Sequence, residues 1–516
     1  MALFWTVLLT LKYIFYVAVL IKLIQRLALH PLRKFPGPLL AKASYGYGGY
    51  YAMKKYPHIQ IYKNFQKYGP VFRAAPNRLV FNTLTAVRDI YLCPNVTKAV
   101  AYRNSRWDSK PHIFDVTDRR IHRQKRRVVG QVLADKSLRT FQPIILQQVD
   151  ILIKVIREGL TKPINMTEIS KRFAMDVIGC LAFGYELKTQ TEDTNAFISR
   201  AMNKAVYLNS IYYTWPAVSY IAPVVRWAAK GKSETFWTAV RNMIISRMAE
   251  PLDAKPDFYS IAANQLESTE NQDQLEESEL WAEALLFITA GGSTIASALA
   301  SLLFNLSRHR HVYDRLASQI RDSFSSGHEI KDDQKLIGLK YLRAVIDESL
   351  RLSPSSLFTP WRVADKPTAP LVVDGNVIPY GTEVSVHLYS ILHNAEFFPA
   401  PFAFQPERWL IEERGPAARQ EAEARLAIMR QAHVAFGIGE RVCAGKSMAY
   451  QELSVVIAKL LWYFDFSQAP GEAGKLGCGP GADQGPWAAP DQFFLQDIFA
   501  ADHDGPNLVF QPREVS

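Results

Sequence analysis

The chain has 516 residues, 48% of them hydrophobic and 21% charged, with a formal net charge of +11 at pH 7. That composition excludes a disordered or collagen-like chain and suffices for a large core around a cofactor. The four cysteines, Cys93, Cys180, Cys443 and Cys478, lie far apart with no C-x-x-C pair, which excludes a disulfide scaffold and a structural zinc site and fits a reducing compartment.

Residues 2–29 read as a single-pass membrane anchor. The run from Ala2 to Ile24 is apolar apart from Lys12 and Lys22, and a span needs roughly 20 such residues. Basic residues follow rather than precede it, which argues against a cleaved signal and places the body on the cytoplasmic side. Residues 30–38, His30 to Pro38, form a proline-rich hinge. The remainder, 39–516, reads as one catalytic domain that is mainly α with a smaller β region.

Within that domain, Val71 onward and Leu79–Asn82 have strand character, and Phe141–Leu160 and Ile169–Phe183 have helical spacing. Leu280–Leu306 is apolar enough to span a membrane, but Gly291, Gly292, Ser293, Thr294, Ser297 and Ser301 favour a buried core helix. Leu339–Leu352 and Lys446–Phe464 read as helices. Leu371–His387 reads as strands with turns at Asp374-Gly375 and Tyr380-Gly381, and Pro470–Pro490 as a surface loop. Asn95, Asn165 and Asn305 begin glycosylation-type triplets that a cytoplasmic body leaves unmodified.

The chemistry concentrates in Phe436-Gly437-Ile438-Gly439-Glu440-Arg441-Val442-Cys443-Ala444-Gly445. The glycines permit a tight turn that aims backbone N–H groups at the sulfur. Gly445 leaves room for a flat group, and Phe436 covers the sulfur side. This run resembles the signature F-x-x-G-x-R-x-C-x-G of the cytochrome P-450 family, with every fixed position filled. The resemblance covers nearly the whole chain and implies the P-450 fold, haem b, and Cys443 as the axial thiolate ligand of its iron, which favours O–O cleavage.

Other segments extend the likeness. Glu348 and Arg351 lie three apart on a helix, and with Arg408 in Phe404–Trp409 they match the family's structural triad behind the haem. His122 and Arg126 resemble a W-x-x-x-R element, with His122 at the tryptophan position. The resemblance makes Arg126, Arg362 and Arg441 the partners of the haem propionates, with His122 as a further donor. Ala290–Thr294 matches the oxygen groove: Gly291 and Gly292 open space over the iron, and Thr294 assists proton delivery. Ser293 stands where many members have an acid, which leaves the usual proton relay open.

Arg119, Arg120, Arg123, Lys125, Arg126 and Arg127 form a basic cluster expected to attract an acidic flavoprotein. Trp107–Phe114, Val206–Pro223, Phe287, Ile288 and Ser355–Phe358 are expected around a lipophilic substrate. The resemblance implies a monooxygenase in the endoplasmic reticulum membrane. Its electrons come from NADPH through a cytochrome reductase, with cytochrome b5 as an alternative donor. Lys67–Arg73 and the hinge look like filamentous-fungal members of secondary metabolism, whose substrates include terpenoids and polyketides. The alternatives are an isomerase or dehydratase without net oxygen insertion, motivated by Ser293, and a non-catalytic haem sensor. No nucleic-acid-binding module accompanies the charges.

Overall fold

The structure is a computed structural model that describes residues 1–106, 110–228, 230–267, 277–366, 370–412 and 415–513. The N-terminal helix, Ala2–Leu27, stands off the body with none of its apolar window buried. It is a candidate anchor, followed by the short turn Pro31–Lys34 that begins the hinge. The second apolar helix, Glu277–Arg308, passes through the interior, with Leu280, Ala284, Ile288, Leu299 and Leu303 buried. Its composition alone would suit a membrane, but the protein itself supplies the apolar surroundings.

That central helix packs against Met166–Phe183, Lys340–Leu352 and Lys446–Tyr463, and one continuous apolar core joins them. Asn165 caps the Met166–Phe183 helix by accepting from the Thr167 N–H, and Gly184, at φ 55°, ends it in a left-handed turn. Gly291 and Gly292 allow the close approach. A Cβ on Gly291 would meet Ile178 Cδ1 at 3.0 Å, and one on Gly292 would meet Met175 Sδ at 2.8 Å. The glycines therefore serve packing between helices, and the expectation that they open space above the cysteine is corrected.

The β region lies to one side with its own apolar cluster. Its main sheet has five strands in the order Val71–Ala75, Arg78–Phe81, Glu383–Val386, Arg362–Ala364, Val96–Lys98. Only the Arg78–Phe81 and Glu383–Val386 pair is parallel. A hairpin of Gln496–Ile498 and Ala500–Asp502 turns at Phe499, whose φ of 93° is a left-handed conformation that side chains rarely adopt. Residues 470–490 are more ordered than a surface loop: three 3-10 turns form there, Ala488 is buried, and Trp487 packs edge-on to Tyr62 at 5.9 Å.

The basic helix, Arg119–Val132, is capped by Asp118, which accepts from the Ile121 N–H at 2.9 Å. It does not present one cationic face. Lys125 is fully buried between Glu279 (3.1 Å) and Glu283 (3.2 Å), Arg126 turns toward the cysteine turn, and Arg119 pairs with Glu440 at 3.0 Å. Arg123 and Arg127 remain exposed.

Candidate active site

The segment Phe436–Gly445 forms the turn that feeds the Lys446–Tyr463 helix. The Cys443 N–H donates to Phe436 O at 2.9 Å and the Val442 N–H to Gly439 O at 3.0 Å. Gly437 and Gly439 adopt φ of 70° and 75°, where a side chain is strained. Gly439 has a second constraint, since a Cβ there would run into the Tyr91 carbonyl oxygen. At Gly445 an added Cβ meets no heavy atom within 4 Å. Arg126 Nη1 donates to Val442 O at 2.8 Å and pins the turn from the basic helix.

Cys443 is accessible from an internal cavity while protein surrounds it on nearly every side. Burial pushes its thiol above the ordinary value, opposed by the Gly445 N–H and by the charges of Arg126 and Lys446. The cavity, of about 350 Å³, runs from the cysteine turn to the central helix. Phe436, Gly437 and Ile438 line its sulfur side, and Thr289, Ala290, Thr294 and Ala298 line the opposite side. Tyr102, Phe114, Val206, Tyr213, Phe358 and Phe499 enclose the rest, with Phe358 and Phe499 stacked at 4.1 Å.

The expected substrate segments divide. His112, Phe114, Val206, Ser355, Ser356 and Phe358 reach the cavity; Trp107 lies outside the described residues. Ile288 is buried in the core instead, and Phe287 packs edge-on to Phe258 at 4.8 Å. On the central helix, adjacent positions point about 100° apart, so Leu286, Thr289 and Ala290 occupy the face expected of Phe287 and Ile288. Thr294 Oγ1 is in the cavity and donates to Ala290 O at 2.5 Å, whereas Ser293 turns aside and donates to Asn203 Oδ1 at 3.3 Å.

One wall is cationic. Lys98, Arg362 and Arg441 line the cavity, and Tyr102 accepts from Arg362 Nη1 at 3.0 Å. Lys98 Nζ donates to the Phe114 (2.7 Å) and Ile113 (3.3 Å) carbonyls, and Arg441 Nη1 to Val116 O at 3.1 Å. Burial first, and then Arg441 and Arg362, push Lys98 well below a normal lysine. Burial and Arg362 bring Arg441 down to about 10. His122, buried behind this wall, is pushed down to about 2 by burial and then by Arg441, Lys98, Arg126 and Arg362. It is neutral in the fold, and it does not line the cavity. Three basic side chains facing one void, with no carboxylate among the described residues that line it, form a cradle for an anionic group.

The profile of the cytochrome P-450 family matches residues 36–476. The chain belongs to the cytochrome P-450 family. It is 32% identical over 504 residues to the cytochrome P-450 monooxygenase AKT7 of Alternaria alternata, covering 95% of this chain and 94% of that one. It is 31% identical over 513 residues to the monooxygenase atnE of Emericella nidulans, covering 95% and 94%. The monooxygenase apf7 of Gibberella fujikuroi is 30% identical over 534 residues, covering 97% of each.

Family membership implies haem, and the residues present fit it. A soft sulfur opens into the cavity opposite an uncrowded helix face, and the cationic wall suits two propionates. Lys98 and Tyr102 belong to that wall, and no motif in the sequence marks either. Glu348 is fully buried on the Lys340–Leu352 helix. Its carboxylate accepts from Arg351 (2.9 Å twice), Arg408 Nε (3.1 Å), the Gln405 N–H (3.0 Å) and Trp409 Nε1 (2.9 Å). Burial works against its charge, but the two arginines hold its pKa below the usual range. Trp409 is a member of this P-450 network that pair spacing alone does not reveal.

Proposed function

We propose that the protein is a haem-thiolate monooxygenase. It would insert one oxygen atom of O2 into a lipophilic small molecule, with electrons from NADPH passed singly through a flavoprotein reductase and the body facing the cytoplasm at the endoplasmic reticulum. The observation that carries this reading is the Cys443 sulfur opening into a cavity with a cationic wall. Haem bound there supplies oxygen activation. Cys443 would hold the iron, and Arg362, Arg441 and Lys98, with Arg126 at the turn, would hold the propionates.

The remaining tasks fall to the chain itself. Phe114, Val206, Tyr213, Phe358 and Phe499 exclude water and orient an apolar substrate. The Thr294 hydroxyl, which lines the cavity, would hold a proton for the reacting position. Kinship with fungal monooxygenases supports a secondary-metabolite intermediate, such as a terpenoid or polyketide, as substrate. The exposed Arg123 and Arg127 offer part of a docking face for an acidic reductase domain, or for cytochrome b5.

The test is the carbon-monoxide difference spectrum of the reduced, haem-loaded protein, then turnover with reductase under isotopic oxygen. A thiolate-type spectrum and labelled product are expected, with both lost in Cys443→Ser. Product formed at an unchanged rate by that variant would end the reading. Conversion without label or NADPH use would favour the isomerase or dehydratase instead.

A further inference from the structure

A second, smaller cavity lies behind the aromatic wall of the first. Its volume is about 70 Å³, and it sits between the Gly46–Met53 and Pro57–Tyr68 helices, the Val71–Ala75 strand and the end of the Phe197–Thr214 helix. Tyr213, Phe358 and Phe499 line both cavities, so these three rings form the partition between them. Tyr213 is fixed: its hydroxyl donates to Thr359 O at 2.8 Å and accepts from the Trp361 N–H at 3.1 Å. Phe358 and Phe499 close the rest by stacking on one another, and Phe499 rides on the tip of its hairpin.

Most polar groups of the small cavity are satisfied. Gln60 Nε2 donates to Tyr47 Oη at 2.9 Å and to Asn64 Oδ1 at 3.1 Å. Arg78 donates to Glu383 Oε2 at 2.5 Å and to the Thr214 (3.0 Å) and Tyr213 (3.1 Å) carbonyls. Two other groups are not satisfied. Asp497 and Thr359 line this cavity and not the larger one, and they are only 5% and 7% exposed. Asp497 Oδ1 accepts from the Phe499 N–H, but among the described residues its Oδ2 and the Thr359 hydroxyl have no partner. Buried polar atoms are nearly always hydrogen-bonded, so two orphans in one void call for a guest that bonds them.

The chemistry of the guest follows from theirs. Burial favours the uncharged form of Asp497, and no cation offsets it. An uncharged carboxyl both donates and accepts, as the Thr359 hydroxyl does, so the pair complements a hydroxyl or a primary amide. A carboxylate guest would find Arg78, the cation on this wall, with its donors already engaged. An alkyl end would leave both orphans unbonded.

We propose that the small cavity is a subsite for the polar end of the substrate, a neutral hydroxyl or carboxamide bound by Asp497 Oδ2 and the Thr359 hydroxyl once Phe358 and Phe499 part. The substrate is then an elongated molecule, apolar where it is oxidised and hydroxyl- or amide-terminated at its far end. Asp497 also holds the Phe499 N–H, so the residue that binds the polar end carries one of the rings that must move. This rests on the reading that the larger cavity holds haem and the reacting carbon.

The full haem-loaded chain is titrated with dodecan-1-ol and with 1-methoxydodecane, which accepts a hydrogen bond but cannot donate one, and the spin-state shift is followed. A buried acceptor left unpaired by the ether should give a preference of about tenfold for the alcohol. T359V and D497A should each bring that ratio toward one. A ratio near one in the wild-type chain, as a cavity filled only by water would give, overturns the subsite. So does a preference that either variant leaves intact. T359V removes only a hydroxyl, so it decides the question if D497A does not fold. The carbon-monoxide spectrum of the same preparation tells the two failures apart. With a thiolate-type band, a ratio near one contradicts the subsite alone. Without that band the functional reading fails, and calorimetric titration of the same two ligands then tests the subsite by itself, a ratio near one again overturning it.

Discussion

Ser293 donates its hydroxyl to Asn203 Oδ1 at 3.3 Å, while its neighbour Thr294 faces the cavity. The position where the family resemblance leads one to expect an acid is thus a neutral hydroxyl–amide pair, turned toward the Phe197–Thr214 helix. Under the proposed function, Thr294 is the hydroxyl that would serve proton delivery. T294A is expected to lower product formed per NADPH by roughly tenfold or more, within the range of a positioned proton donor, with peroxide released in its place. S293A is expected to change that ratio far less. Peroxide and product assays with reductase decide it; equal damage from both variants would contradict the assignment.

The Glu348 network predicts a stability effect rather than a catalytic one. Removing the carboxylate leaves Arg351 buried and unpaired, with Arg408 and Trp409 Nε1 also losing an acceptor. Breaking such a buried pair costs about 3–5 kcal/mol. E348A should therefore be recovered largely unfolded or without haem, as read by circular dichroism and haem content. E348Q, which keeps one acceptor oxygen for the N–H donors and nearly the same volume, should lose less.

The cysteine turn was legible because its demands are local: positive φ at Gly437 and Gly439 is a property of single residues. Glu348 and Arg351 were legible because three residues along a helix return to one face. The rotation of the central helix was not, because Gly291 and Gly292 are small on any face and only contact with Ile178 and Met175 decides which one they serve. The basic helix misled for a related reason. Its buried face, His122, Lys125, Val129 and Val132, has ordinary 3-4-3 spacing, but two of the four are polar, so composition disguised the period. Lys98 left no trace, since a buried lysine draws its reason entirely from groups distant in sequence.

The glycine assignment has its own test. A methyl group at Gly292 would press on Met175 Sδ at 2.8 Å, and overpacking of this kind costs about 1–3 kcal/mol. G292A should lower the unfolding midpoint while leaving ligand-induced spin-state shifts almost unchanged. A variant of normal stability with blocked ligand binding would instead place Gly292 over the cavity.

Asp497 predicts a pH dependence of stability. It is buried in the hairpin, and its Oδ1 accepts from the Phe499 N–H at 3.0 Å, holding the turn that carries the cavity's Phe499. Burial raises its pKa from 3.8 to about 7, with the Phe499 N–H opposing. The folded state therefore binds the proton more tightly than the unfolded chain does. The stability this contributes is complete below about pH 4 and is lost as pH rises through 7. D497N keeps an acceptor for Phe499 and has nothing to ionise. It should be more stable than the wild type at pH 8, by up to roughly 4 kcal/mol for a rise of about three pKa units at about 1.4 kcal/mol each, and should lose most of that advantage by pH 4. Glu283 and Glu452, raised by burial to about 7 and about 8, bend both curves alike and cancel in the difference. Denaturant unfolding of the two proteins at pH 5 and pH 8 measures it, and a difference independent of pH would mean that Asp497 is already ionised in the fold.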